Sequence, residues 1–178
     1  MKFETNRTYI REFCLTDAAA VYDFNSDPFV TRYTGDAGLV KKIEDAEHII
    51  QNIWLKEYRK YGYGRWAVVD KKTNKVIGFA GFKFIPDMGM PDIGYRLLPS
   101  YWGKGFATEI TQASAEYFGN ELGNTMYFGD AMEGNYASIK ILTKLGLKFG
   151  GYVKDGEHLF LRFIQTTPSL LNPNQFYK

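Results

Sequence analysis

The chain has 178 residues, long enough to bury one sizeable core and short for two, so it reads as a single domain over 1–178. Hydrophobic residues make up 45% of it, and a net charge of +2 with no basic run longer than two argues against binding to a nucleic-acid backbone. Cys14, His48 and His158 form neither a disulfide nor a ligand cluster, and the charged N-terminus lacks an apolar run. The expectation is a cytosolic protein without metal or membrane partner, with Cys14 as a buried structural thiol.

Arg7 to Phe13 alternates as a first strand, and Thr16 offers an N-cap to a helix carrying Ala18, Ala19, Val21, Tyr22 and Phe24. Asp27-Pro28 breaks that helix, and Phe29 to Lys42 reads as irregular. From Ile43 to about Lys60, Ile43, Ala46, Ile50, Ile53, Trp54 and Tyr58 recur at spacings of three or four, which predicts an amphipathic helix. Three extended segments follow at 65–70, 75–85 and 92–98, joined by the polar turn KKTN and the loop PDMGMP. A helix is expected from Gly105 to about Glu121, a strand from Thr125 to Ala131 and a helix from Asn135 to Leu145. A hairpin of 147–153 with 158–164 closes the domain, and 165–178 is a tail. These elements predict an α/β (α+β) fold: one mixed, mostly antiparallel sheet of about seven strands flanked by about four helices.

The stretch WGKGFATE, Trp102 to Glu109, carries the most chemistry. It is a glycine-marked turn between a strand and a helix, where the first helical N–H groups lack partners and the peptide dipoles leave partial positive charge. Gly103 and Gly105 let the backbone approach an anion closely, and Lys104 adds a cation. The segment matches neither G-x-x-x-x-G-K-[ST] nor G-x-G-x-x-G, so by itself it also describes a plain tight turn.

DPFVTRYTG, YGYGRWAVVDKKTNKVIGFAG, DIGYRLLPSYWGKGFATE and NYASIKILTKLGL, in this order, resemble the GNAT superfamily of acyl-coenzyme A-dependent N-acetyltransferases, in its branch of ribosomal-protein N-terminal acetyltransferases. The resemblance implies acetyl-CoA as co-substrate and transfer of its acetyl group to a primary amine. A protein N-terminus is the first choice of acceptor; a small amine such as a polyamine or aminoglycoside is the alternative, and a non-catalytic acyl-CoA-binding regulator is a further reading. The oligomeric expectation is a monomer or homodimer.

The superfamily's Q/R-x-x-G-x-G/A pyrophosphate motif falls on Trp102, Gly105 and Ala107, with Trp102 replacing the usual Gln or Arg. Coenzyme contacts are therefore expected from Trp102, Gly103, Lys104, Gly105, Phe106, Ala107 and Thr108, and from the preceding strand at Leu97 and Leu98. A backbone N–H near Leu97 or Leu98 would polarise the thioester carbonyl. Asn135 is implied as a contact to the pantetheine arm and Ser138 as the group beside the thioester sulfur. Four residues beyond Ser138, where many members carry an acidic Tyr, stands Leu142.

Asp92 is the first base candidate, through a water relay, with Asp130, Glu133 and Glu157 as alternatives. Tyr33, Trp66 and Tyr95 are candidates to line the acceptor cleft, with core packing as the competing role for each. The irregular segment 29–42 is the expected lid.

Overall fold

A computed structural model of the protein describes residues 2–165. Its sheet has eight strands: β1 (Phe3–Glu4), β2 (Thr8–Arg11), β3 (Arg65–Asp70), β4 (Val76–Ile85), β5 (Met90–Leu97), β6 (Phe128–Met132), β7 (Lys148–Asp155) and β8 (His158–Ile164). Their spatial order is β1-β2-β3-β4-β5-β6-β8-β7, and every neighbouring pair is antiparallel except β5 with β6. The expected count of seven falls one short because β1 has two residues, too few for an alternating pattern. Gln165 ends the described residues, so the rest of the expected tail lies outside them.

The helices are α1 (Ala18–Ser26), α2 (Pro28–Thr31), α3 (Ile43–Ile49), α4 (Leu55–Tyr61), α5 (Phe106–Asn120) and α6 (Tyr136–Lys144). A π-helical turn over Ile50–Trp54 joins α3 to α4. The long helix read from the sequence therefore exists, but with Ile43 and Ile53 left exposed while Ile50, Trp54 and Tyr58 are buried. The segment expected to be irregular contains α2, because Asp27 accepts hydrogen bonds from the N–H groups of Phe29 and Val30 and Pro28 occupies the first turn.

Two further expectations are corrected near α1. Asp17, rather than Thr16, organises its start, accepting from the Cys14 N–H at 3.0 Å and from Arg11 at 2.7 and 2.8 Å. Cys14 is exposed rather than buried, because the chain turns there between β2 and the helix.

The sheet separates two apolar layers. On one side Phe13, Phe24, Trp54 and Phe79 pack together, with Trp54 stacked on Phe13 at a centroid distance of 4.3 Å. On the other, α5 buries Phe106, Ile110, Ser114 and Phe118, one per turn, and Phe118 stacks on Phe82 of β4 at 3.7 Å. Trp66 belongs to this second layer with 0% exposure, edge-on to Phe3 and Tyr117. It is a core residue, so of the two roles open to it in the sequence core packing holds, and its candidacy for the acceptor cleft is corrected. Alternation along β3 directs its ring into the α5 layer.

Candidate active site

The strands β5 and β6 run parallel and meet at one register pair, Asp92 with Phe128. Beyond it they separate, since each continues toward its C-terminal end with no further pairing. A sheet that opens in this way exposes strand backbone to a ligand instead of to a neighbouring strand. Leu98 donates its N–H to the Ile77 carbonyl at 2.9 Å, so it is engaged by β4. Alternate residues of a strand turn their polar groups to opposite sides, which directs the Leu97 backbone into the gap. The Leu97 carbonyl accepts the Trp102 indole N–H at 2.8 Å. That bond accounts for Trp102 structurally: it ties the turn to the strand it follows.

The turn itself is set by two left-handed residues, Gly103 with φ 70° and Gly105 with φ 80°. A side chain at either position would be strained whatever space surrounds it. The first helical bond runs from the Glu109 N–H to the Gly105 carbonyl, leaving the N–H groups of Phe106, Ala107 and Thr108 ahead of any helical acceptor. Phe106 is buried and Ala107 packs against the core, so their contribution to a ligand would come from backbone alone. Lys104 folds its ammonium onto the Ser100 carbonyl at 2.8 Å.

Arg7, which sequence reasoning did not single out, braces this turn. Its guanidinium donates to the Lys104 carbonyl at 2.8 Å and to Glu109 at 2.6 Å, and lies 3.9 Å from the Phe106 ring centroid. Burial opposes ionisation of Glu109, yet hydrogen bonds from Thr5 and Arg7 hold its carboxyl below the ordinary range. By fixing a carbonyl of the turn on one side, Arg7 leaves the N–H groups on the other. Unpartnered N–H groups at a glycine turn that opens a helix fit a pyrophosphate.

Asn135 caps α6, its side-chain oxygen accepting the Ser138 N–H at 3.2 Å. The Ser138 hydroxyl lies 3.1 Å from the Tyr95 phenol of β5. Tyr95, expected at the acceptor cleft, therefore faces Ser138 across the gap. Leu142 is buried and packs on Gly129 of β6, where an added Cβ would come within 2.5 Å of its side chain.

Asp92 and Arg96 point to the face of the sheet opposite Tyr95, as alternation requires. Asp92 is paired with Arg65 at 2.5 Å. Burial pushes its carboxyl up, Arg65 opposes the shift and Asp130 adds to it. Asp130 in turn is held by Arg162 at 2.6 and 2.9 Å, and that guanidinium covers the Phe128 ring at 4.5 Å. Of the alternative bases, Glu133 and Glu157 are exposed. Arg96 is buried and joins Asn25 of α1 to Asp36 of the segment after α2, the latter through two bonds of 3.0 Å. Burial pulls this guanidinium below its ordinary value while Asp36 opposes that.

The same segment reaches the far arm of the gap. A Cβ on Gly35 would lie 3.6 Å from the Phe160 ring of β8, and one on Gly134 would lie 4.0 Å from the Tyr33 ring. Residues 33–36 thus span from β5 to the β6–β8 side, and the Tyr33 ring lies by Gly134, in the turn between β6 and α6. Among the described residues, no group of three or more metal-ligating side chains is present and no helix is long and apolar enough to cross a membrane.

The family model for the acetyltransferase (GNAT) domain matches residues 7–148. The chain belongs to the GNAT acetyltransferase family. An uncharacterized N-acetyltransferase, p20, of Bacillus licheniformis is 31% identical over 156 residues, covering 86% of this chain and 85% of that protein. Two solved structures share the fold. One is an acetyltransferase from Salmonella typhimurium that modifies the N-terminal serine of ribosomal protein L7/L12, with TM-score 0.76 and 16% identity over 92% of this chain and 96% of that one. The other is spermidine N-acetyltransferase from Vibrio cholerae in complex with CoA and spermine, with TM-score 0.72 and 14% identity over 89% and 94%. The protein is an acetyl-CoA-dependent N-acetyltransferase.

Proposed function

We propose that this GNAT enzyme transfers the acetyl group of acetyl-CoA to the α-amine of a protein or peptide N-terminus, by direct attack within a ternary complex. The observation that carries this choice is charge compensation on the acceptor face. Asp92, Asp130 and Asp36 are each paired with an arginine: Arg65, Arg162 and Arg96. A polyamine with several ammonium groups needs uncompensated carboxylates, whereas a single neutral amine on a peptide does not. The fold neighbours include enzymes for both acceptor classes, and the local charge balance favours the peptide.

In this reading the N–H groups of 103–108 hold the pyrophosphate, Lys104 and Thr108 add polar contacts, and Asn135 meets the pantetheine arm. The Leu97 backbone N–H polarises the thioester carbonyl, and the Ser138 hydroxyl donates to the departing sulfur. If the coenzyme thiol resembles a free cysteine, its thiolate lies about 2 kcal/mol uphill at pH 7, much of which one hydrogen bond offsets. Tyr33 borders the acceptor entrance.

Deprotonation asks little of the protein. An α-amine with pKa of about 7.7–8.0 costs roughly 1–1.4 kcal/mol to deprotonate at pH 7, against roughly 4.6 for a lysine. Solvent suffices for the first. Asp92 stands about 10 Å along β5 from Tyr95, by the rise of three strand residues, and is engaged by Arg65. We therefore give Asp92 the role of an ion-pair strut instead of the base expected from the sequence.

The test is thiol release from acetyl-CoA with a panel of N-terminal peptides, spermidine, spermine and aminoglycosides. Peptide-dependent release with no response to polyamines is expected. Turnover confined to polyamines would reject the peptide assignment, and coenzyme binding without turnover of any amine would point to a regulator.

A further inference from the structure

Tyr95 and Ser138 come from opposite arms of the gap, Tyr95 from β5 and Ser138 from the helix that follows β6, and their hydroxyl oxygens lie 3.1 Å apart. A serine hydroxyl has one proton, so a donor to the coenzyme sulfur cannot also spend that proton on Tyr95. The backbone N–H of Ser138 is already committed to Asn135, which fixes the first turn of α6 and the position of the serine. What remains free is rotation of the hydroxyl. We propose that Tyr95 is a positioning residue for acetyl transfer: its phenol donates to the Ser138 oxygen and so aims the serine proton at the departing thiolate. The inference rests on the proposed leaving-group role of Ser138.

Three features support it. The phenol is held in the α5 layer by burial, which pushes its pKa up with the Ser138 bond opposing, so it stays protonated at neutral pH and keeps its donor. Aligned hydrogen bonds polarise one another, so a serine that accepts from Tyr95 is the stronger donor to sulfur. Leu142, four residues beyond Ser138, brings no polar group of its own and instead fills the space over Gly129. Hydroxyl chemistry at this point of the gap is thus supplied by β5 and α6 together. No proton leaves Tyr95 in the step. As the amine forms its bond to the carbonyl carbon and the carbon–sulfur bond breaks, the electron pair goes to sulfur, the Ser138 proton stabilises it, and the amine's surplus proton passes to solvent.

The experiment is a double-mutant cycle on kcat with acetyl-CoA and an accepted peptide, using Tyr95→Phe, Ser138→Ala and the double variant. Tyr95→Phe is expected to lower kcat about tenfold, the equivalent of one net hydrogen bond, with KM for acetyl-CoA unchanged. It should cost nothing further when Ser138 is already alanine, an outcome that a general packing role would not produce. Tyr95→Met, which retains bulk and can accept but not donate, should reproduce the loss and stands in if the phenylalanine variant does not fold. Equal losses from Tyr95→Phe with and without Ser138 would reject the inference. So would a neutral Tyr95→Phe beside a slow Ser138→Ala, which leaves the serine reading intact. An unchanged kcat in Ser138→Ala would remove the serine reading and the inference with it.

Discussion

The turn before α5 takes its shape from backbone conformation within the short run from Trp102 to Glu109. The opposite face of the β5–β6 gap is held by arginines whose hydrogen-bonded partners lie 16 to 74 positions away in sequence. The first arrangement offers backbone N–H groups, which depend little on side-chain identity, so in the proposed reading it suits a donor common to many enzymes. The second depends on which side chains meet, and a single exchange there alters charge, shape and reach at once. Coenzyme recognition should therefore tolerate little change in φ, and acceptor choice little change in pairing.

Gly105→Val tests the first side most severely. A β-branched residue at φ 80° is strained, and the turn must reshape even though the first added carbon would meet only the Arg7 guanidinium, at an ordinary contact distance of 3.6 Å. Calorimetry should give a Kd for acetyl-CoA weaker by about two orders of magnitude. A change under threefold, by an order-of-magnitude standard, would mean that the backbone cradle is not what binds the phosphates.

On the acceptor side, Arg96→Met removes the guanidinium that ties Asp36 and Asn25 to β5. The expected result is a stability loss of about 2 kcal/mol and an acceptor KM raised roughly tenfold, with the coenzyme Kd unchanged. Equal weakening of both ligands would show that the two sides are not separable. Asp92→Asn should be milder. It keeps a hydrogen-bond acceptor for Arg65 while losing the charge, so stability should fall by about 1–2 kcal/mol and the acidic limb of the pH–rate profile should persist. Loss of that limb would restore Asp92 as the base.

The smallest effect concerns Glu57 of α4, whose Oε2 is buried without a partner. Burial pushes its carboxyl up while Arg65 and Lys83 oppose the shift. A carboxyl raised in the folded state favours folding at acid pH and loses that contribution as pH rises through its folded value. Glu57→Gln should therefore melt slightly higher than the parent at pH 7, with the advantage closing as pH falls toward the unfolded value of about 4.3. A parent that melts higher at pH 7 would overturn that sign. Because Glu57 is sensed by Arg65 but stands one step from Asp92, acetyl transfer should change little.

Much of this architecture is legible in the sequence. The helix of 106–120, the closing hairpin and the glycine turn follow from periodicity and turn chemistry, which act over a few residues. Asn135 was readable as a cap for the same reason. Where legibility failed, the cause was distance or brevity. β1 has too few residues to show alternation, and the π-helical turn after Ile49 shifts the buried stripe without leaving a mark in composition. Arg7 looked like an ordinary strand-end charge, and nothing near it indicates Glu109, 102 positions later.

Aromatic residues show the same limit. Trp66, Tyr33 and Tyr95 were equivalent candidates by type, yet one lies in the core, one by Gly134 and one against Ser138. Strand alternation assigns each to a face, but which face meets α5 and which meets α1 depends on how the helices pack. Cys14 was misread because its apolar neighbours, Phe13 and Leu15, flank a turn that exposes it.

By itself the sequence determined the order of elements, the glycine turn before α5 and, through its motifs, the resemblance to an acetyl-CoA-dependent family, because these rest on local backbone preference. Only the tertiary structure decided that Arg65, Arg96 and Arg162 pair with Asp92, Asp36 and Asp130 and that Tyr95 meets Ser138. Such contacts join side chains from separate elements. Their geometry exists only once the sheet has closed around its core and opened between β5 and β6.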